Sequence, residues 1–310
     1  MSVATKMRNG WRASPLPELP ELATGEGTNC SVSDLLRASA GALQGADIDT
    51  ARLDAEVLLA NAWGLDRAQL YARTQELVPA TVRADFARML ARRVTREPLQ
   101  YIVGRQEFWS LEFEVNADVL IPRPETELLV QLTVAELQQR AVLGGLVCDV
   151  GTGSGCIAVA LARELRGVMV WASDQSATAL AVAARNAERH AVAGRVHCVR
   201  SDLLAQVPEP ELDVIVSNPP YVPTDAVPHL QPEVRWEPRS ALDGGASGLV
   251  IIGRLLAEAR PRLRAGGVLI VEVGADQEGA VTALARATGW SNVVIRRDLA
   301  GLPRVLVAGR

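Results

Sequence analysis

The apolar run Asp213-Val214-Ile215-Val216-Ser217 ends in Asn218-Pro219-Pro220-Tyr221, and no other residues of this chain say as much about chemistry. A strand cannot continue through that tetrapeptide. Pro219 fixes its own φ and offers no ladder donor, and Pro220 holds the residue before it extended. The backbone must leave the sheet as a stiff loop with outward carbonyls, an amide side chain at its base and an aromatic ring closing it. Such a loop suits methyl transfer to a flat NH2 group. The nitrogen of a carboxamide, or of adenine's exocyclic amine, has its lone pair delocalised and is a poor nucleophile. Acceptors on its two N–H bonds draw it towards pyramidal geometry and aim the lone pair at an electrophile. The Asn218 side-chain oxygen and the Pro219 carbonyl are the natural pair, and proline pre-orders the acceptor. Pro220 then stiffens the loop and Tyr221 walls the substrate. Taken alone, the tetrapeptide is equally compatible with a rigid turn.

A second segment, upstream, shifts that balance. Leu146 to Val150 reads as a buried strand, Gly151-Thr152-Gly153-Ser154-Gly155 as a tight turn, and Cys156 to Ala162 as an apolar helix. Glycines belong where a backbone turns sharply and a ligand must approach it. A dinucleotide fingerprint needs G-x-G-x-x-G; here position 156 is Cys and the third glycine comes one residue early. The resulting G-x-G-x-G resembles the S-adenosylmethionine loop of class I methyltransferases, and no P-loop motif is present. The next strand, Val168 to Ser173, ends in Asp174, placed to accept both ribose hydroxyls of an adenosine; a helix cap by Asp174 or Ser176 is compatible with the same sequence. A third strand ends at Asp202-Leu203, an acid and an aliphatic surface suited to the adenine amine and its face.

These loops need a scaffold, and the rest of the chain supplies one. With 310 residues, 48% hydrophobic and 22% charged, two globular domains are expected. No run approaches the eighteen apolar residues of a membrane span and no secretory h-region follows Met1, so a cytoplasmic protein with no membrane partner is expected. A net charge of −4 argues against direct nucleic-acid binding. The four cysteines form no C-x-x-C, and Cys148, Cys156 and Cys198 are expected to be buried thiols; with three histidines at no ligand spacing, no metal is expected. Residues 1–30 carry Pro15, Pro17 and Pro20 and read as a disordered leader. Residues 31–100 read as a small helical domain. Ser31 and Asp66 cap its first and third helices, and a helix over 80–96 carries Arg88, Arg92 and Arg96 along one face beside Arg83 and Arg93, either a solvated face or a partner-binding stripe. Residues 101–121 read as a hairpin linker built from the alternating run Glu107 to Val115 and the extended Val119-Leu120-Ile121. From 122 to 310 helices alternate with strands near 146, 168, 196, 213, 267, 291 and 304. That predicts an α/β, doubly wound, seven-stranded sheet, with the last two strands an antiparallel hairpin at one edge.

With these motifs in order, the chain resembles the protein-(glutamine) methyltransferases of the HemK/PrmC family. The resemblance rests on Pro98 to Gly104, Glu107-Phe108-Trp109, Leu120 to Glu127, Asp149 to Gly155, Ser217 to Tyr221, and Glu237-Pro238 followed by Ala241-Leu242, and it covers roughly residues 31–310. It implies a class I methyltransferase fold and S-adenosyl-L-methionine as methyl donor, with S-adenosyl-L-homocysteine as product. The implied acceptor is the glutamine in the Gly-Gly-Gln loop of class I peptide-chain release factors, gripped by the helical domain; separately from the resemblance, a monomer is expected. Cofactor binding then falls to Gly151–Gly155, Asp174, Asp202, Leu203 and Asn218. The substrate falls to Asn218, Pro219, Pro220, Tyr221 and Arg123, the last either shaping the pocket mouth with Glu125 or forming a structural ion pair. Some relatives place a tryptophan where this chain has Leu203. Three alternatives remain: an adenine methyltransferase, a ribosomal-protein glutamine methyltransferase, and a non-enzymatic assembly factor that binds the cofactor.

Overall fold

A computed structural model describes residues 29–140, 144–208 and 211–310. All but the last two residues of the expected leader, 1–30, lie outside them. The chain divides into two compact units at Val103/Gly104.

The first unit is helical: α1 (Val32–Gly45), α2 (Ala51–Trp63), α3 (Arg67–Tyr71), α4 (Ala80–Val94) and α5 (Leu99–Val103). Ser31 caps α1 by accepting the Asp34 N–H, and Asp66 with Gln69 closes a full capping box on α3. Leu35, Leu43, Leu58, Leu59, Phe86 and Leu90 are fully buried and form the centre of its core. The expected arginine face on α4 does not exist as one face. Successive helical residues lie about 100° apart, so Arg93 points away from Arg92. Arg93 is buried and donates to Asp54 of α2 at 2.7 Å, while Arg83 is buried as well. Arg96 lies beyond the helix at φ +65° and donates to the carbonyls of Ala46 and Asp47. Only Arg88 and Arg92 stay outward, paired with Asp85 and Glu97.

The second unit opens with a hairpin, β1 (Arg105–Phe108) and β2 (Leu111–Glu114), that folds the alternating run back on itself. Val119–Ile121 is not a strand. The turn falls on Trp109 and Ser110, both at positive φ (+53° and +56°), with no glycine to announce it. Glu127 holds the turn by accepting the Trp109 N–H at 2.8 Å. The hairpin is no free linker, because Asn186 brackets Glu114, accepting its N–H and donating to its carbonyl, and Arg185 pairs with its carboxylate.

Helix α6 (Glu127–Gln139) leads into β3 (Leu146–Val150), α7 (Cys156–Glu164), β4 (Met169–Asp174), α8 (Ala177–Arg189), β5 (Val196–Arg200) and β6 (Leu212–Ser217). After a long irregular stretch come α9 (Val250–Arg262), β7 (Leu263–Glu272), α10 (Glu278–Ala287), β8 (Asn292–Arg297) and β9 (Pro303–Gly309). The seven strands run β5-β4-β3-β6-β7-β9-β8, the first five parallel and the last two antiparallel at one edge. Helices α6 to α8 cover one face and α9 and α10 the other. The central strands are buried on both faces, which is why they read as near-continuous apolar runs. Cys148 and Cys156 are buried, but Cys198 is exposed because β5 is the edge strand. Among the described residues, no helix is long and apolar enough to cross a membrane.

The Arg93–Asp54 pair generates a prediction. Asp54→Ala leaves a guanidinium buried without that carboxylate and should cost about 3–5 kcal/mol. Hydrogen exchange should show α2 and α4 deprotected; protection equal to wild type would mean that the pair carries no stability.

Candidate active site at the carboxyl ends of the central strands

The parallel register brings the chemistry-bearing residues to one level. Val150 pairs with Ser173 and with Ser217, and Ser217 pairs with Val271. The next residue on each strand or loop is therefore Gly151, Asp174, Asn218 and Glu272, side by side at the carboxyl edge where ligands of such sheets bind.

Asn218 sits at the head of a buried hydrogen-bond chain. Its Nδ2 donates to Thr126 Oγ1 at 3.1 Å, and the Thr126 hydroxyl donates to Glu272 Oε2 at 2.8 Å. Tyr221 donates its hydroxyl to the other carboxylate oxygen at 3.3 Å. One amide proton of Asn218 is thereby spent on Thr126, and Oδ1 remains as its acceptor. Among the described residues, neither that oxygen nor the Pro219 carbonyl accepts a hydrogen bond. Burial pushes the Glu272 carboxyl up to about 7, with Thr126, Arg304 and Tyr221 pulling the other way. Burial, with Glu272 close by, also raises the Tyr221 phenol.

The Asn-Pro-Pro-Tyr loop is braced from behind. Gln277 donates to the Tyr221 carbonyl at 3.0 Å, and Gly244 donates to Val222 at 2.8 Å. A Cβ at Gly248 would come within 2.3 Å of the Tyr221 carbonyl oxygen, so backbone packs directly on backbone there. Arg123 pairs with the buried Glu237, which also accepts the Ile121 N–H at 3.2 Å. Glu125 is exposed and makes no part of that pair.

In the glycine loop, Gly151, Gly153 and Gly155 all have positive φ. A Cβ at Gly151 would meet nothing within 4 Å, whereas one at Gly155 would press on Ala183 at 3.0 Å. The third glycine thus serves loop-to-helix packing, and the first leaves its backbone open. Thr152 and Ser154 are buried; Thr152 donates its hydroxyl to Asp149 at 2.6 Å, and Asn186 donates to the Ser154 carbonyl. Asp149 is itself fully buried, which pushes its carboxyl up to about 7, and its Oδ1 has no hydrogen-bond partner among the described residues. Asp174 accepts the Gly153 N–H with Oδ2 (3.0 Å) and the Ser176 N–H with Oδ1 (2.9 Å). Each oxygen keeps a further lone pair. Ser176 is the cap of α8.

Leu203 lies close by, at φ +49°, its carbonyl accepting the Ser173 hydroxyl at 3.2 Å. Asp202 is exposed, and one oxygen of its carboxylate lies 2.9 Å from Arg254 on α9. Sequence reasoning quoted Thr126 and Asp149 only as parts of motifs and passed over Glu272. A signal for Glu272 existed: a lone acid closing the apolar run Val268 to Val271. Among the described residues, no group of three or more His, Cys, Asp or Glu side chains is placed to hold a metal ion.

Comparison with known proteins adds independent findings. Two family models match: the PrmC N-terminal domain over residues 34–104 and the Methyltransferase small domain over residues 125–231. A release factor glutamine methyltransferase of Geobacter sulfurreducens is 42% identical over 297 residues, spanning 95% of this chain and 99% of that protein. One from Moorella thermoacetica is 44% identical over 264 residues, 85% of this chain and 93% of that protein. Among solved structures, the hMettl16 catalytic domain in complex with MAT2A 3'UTR hairpin 6 superposes with a TM-score of 0.54 at 16% identity. It covers 71% of this chain and 81% of that one, a likeness of fold.

The raised Glu272 carboxyl generates a second prediction. Its folded pKa of about 7 exceeds the ordinary 4.5, so the folded state holds the proton more tightly than the unfolded chain between those values. Burying Glu272 is therefore neutral at low pH and costs stability as pH rises through that window. Glu272→Gln removes the dependence. Its stability relative to wild type should rise from pH 4 to pH 8 by on the order of 3 kcal/mol, read from paired urea melts. A difference that stays constant with pH would show that this carboxyl titrates as it does unfolded.

Proposed function

This chain belongs to the family of release factor glutamine methyltransferases, and we propose that it methylates the side-chain amide nitrogen of the glutamine in the Gly-Gly-Gln motif of class I peptide-chain release factors. The methyl donor is S-adenosyl-L-methionine and the second product S-adenosyl-L-homocysteine. The observation that carries this reading is the orientation of Asn218. Its NH2 is engaged with Thr126, so its oxygen and the Pro219 carbonyl are two free acceptors beside the glycine loop. A carboxamide nitrogen bears two N–H bonds, and two acceptors match it.

The residues present fit the cofactor. Gly151 leaves its backbone open to close approach. Asp174 retains acceptor capacity for ribose hydroxyls, Leu203 offers aliphatic surface to an adenine, and Asp149 Oδ1 is an orphaned buried acceptor at the root of the loop. When bound, S-adenosylmethionine supplies a methyl group made electrophilic by a cationic sulfur. The chain's own part is orientation. Asn218 Oδ1 and the Pro219 carbonyl accept from the glutamine N–H bonds and turn its lone pair outward. Pro220 holds that geometry and Tyr221 walls the side chain, while Arg123, tied to Glu237, shapes the entrance. No strong base would be required, because an amide nitrogen that has accepted a methyl group carries the positive charge lost by the sulfonium and is then acidic enough to release its proton to water. The helical unit, whose residues 34–104 match the PrmC N-terminal domain, grips the release factor, and the modification modulates translation termination in the cytoplasm.

Two predictions test this reading. Asp174→Ala should weaken S-adenosylmethionine binding by about 1.5–3 kcal/mol, the usual worth of hydrogen bonds to a charged group. Calorimetry giving wild-type affinity would reduce Asp174 to a brace for Gly153 and Ser176.

The other concerns Asn218. Its oxygen acts mainly as the amide becomes nucleophilic, so Asn218→Ala should lower kcat by roughly 10²–10³-fold with KM little changed. Asn218→Asp still accepts and should fall between wild type and Ala. Single-turnover transfer to an intact release factor, with the methylated residue located by mass spectrometry, measures both points. Methylation at any residue other than glutamine, or full activity in Ala, would falsify the mechanism.

A further inference from the structure

We infer that Glu272 is a positioning residue: it fixes the polarity of the buried chain Tyr221–Glu272–Thr126–Asn218, so that Asn218 turns its oxygen, and not its NH2, towards the acceptor amide. The inference rests on the reading given under Proposed function and adds a residue to it.

A carboxamide side chain rotated by 180° about its last bond keeps its shape and inverts its chemistry, since acceptor and donor exchange places. One orientation of Asn218 polarises a substrate NH2; the other opposes donor to donor. Proline and backbone packing fix where the Asn218 side chain sits, and neither decides which end faces out. The decision lies in the proton count of its inner partner. A threonine hydroxyl has a single proton, and that of Thr126 is spent on Glu272 Oε2 at 2.8 Å. Thr126 can then offer Asn218 only a lone pair, which the Asn218 NH2 meets at 3.1 Å.

Glu272 can impose this because an ionised carboxylate only accepts. Its second oxygen receives the Tyr221 hydroxyl at 3.3 Å, and the residue is 1% exposed, so water does not scramble the chain. The charged and titratable groups facing it come from three sides. Arg304 on β9, itself held by Asp298 at 3.1 Å, favours the ionised form. Glu125, from the turn before α6, disfavours it, and Tyr221, which feels the charges of both Glu272 and Arg123, favours it through its hydroxyl. A neutral amide at position 272 has an NH2 of its own to donate to Thr126. The Thr126 proton is then released towards Asn218, whose oxygen turns inward to take it.

The experiment is single-turnover methyl transfer by the full chain to an intact release factor at saturating S-adenosylmethionine, with cofactor affinity measured by calorimetry. Wild type is run first: no methylated glutamine would refute the proposed function, a failure separate from that of this inference. Glu272→Gln should lower kcat about 10²-fold, comparable to losing one preorganised polar group, with cofactor affinity within ~2-fold of wild type. Thr126→Val should behave alike and Thr126→Ser should retain most activity. Wild-type kcat should rise with pH through about 7, where the Glu272 carboxyl ionises, and this limb should vanish in Glu272→Gln. In an Asn218→Asp background, which presents an oxygen whichever way it turns, Glu272→Gln should cause no further loss. Wild-type kcat in Glu272→Gln overturns the inference, as does an equal fractional loss in both backgrounds, the mark of a merely structural role. If Glu272→Gln does not fold, equal rates for Thr126→Val and Thr126→Ser overturn it.

Discussion

Register between parallel strands is the constraint on which the rest depends. Ser173, Val150, Ser217 and Val271 lie abreast, so the groups that follow them emerge at one height from four different strands. A slip of one residue in any pair would send every side chain of that strand to the opposite face of the sheet. The buried valines and leucines on both faces forbid such a slip, and the same apolar packing that stabilises the sheet therefore aligns the site. The two loops at that edge are stiffened by different means. The Asn-Pro-Pro-Tyr loop is held by proline and by close backbone packing against Gly244 and Gly248. The glycine loop is held by Asp174 from its neighbouring strand and by Asn186 from α8.

That edge also concentrates electrostatic strain. Asp149 and Glu272 are both buried acids whose protons are held more tightly than in water. Each is placed where a hydroxyl, Thr152 or Thr126, compensates part of the desolvation. An apolar residue at either position would suit the surrounding core better, and buried polar groups of this kind carry a stability cost that function must justify. At Glu272 the return is directional. Once ionised, this carboxylate is an acceptor at the bottom of a chain of hydroxyl and amide groups and makes every donor above it point the same way. At Asp149 one carboxylate oxygen is left without a hydrogen-bond partner among the described residues, on the strand that leads into the glycine turn.

The two units use charge differently. In the helical unit, arginines that read as a solvated stripe are split between surface pairs and an internal ion pair with Asp54, because a helix rotates adjacent residues apart and α2 offers an acid on the inner side. In the sheet unit, the hairpin that reads as a connector becomes part of the domain, since Asn186 satisfies both backbone groups of Glu114.

Much of this was legible before any fold was known. Alternating helices and apolar strands dictate a doubly wound sheet, because elements with one apolar face or two must be covered accordingly. The glycine spacing dictates a tight turn open to a ligand, and Asn-Pro-Pro-Tyr dictates a strand end that cannot pair; these are local properties of backbone and ring. The hairpin turn at Trp109-Ser110 was not legible, because its positive φ values are enforced by Glu127 eighteen residues away rather than by a glycine. Nor were the exposure of Cys198, set by strand order, and the engagement of Asp202 with Arg254, set by where α9 packs. The orientation of Asn218 is the clearest case. Sequence alone determined that an amide stands at the end of β6. Only the tertiary structure, by bringing Thr126 and Glu272 together from segments 146 residues apart, decided which end of that amide faces outward, because the direction of a hydrogen bond depends on where the partner's proton is already spent.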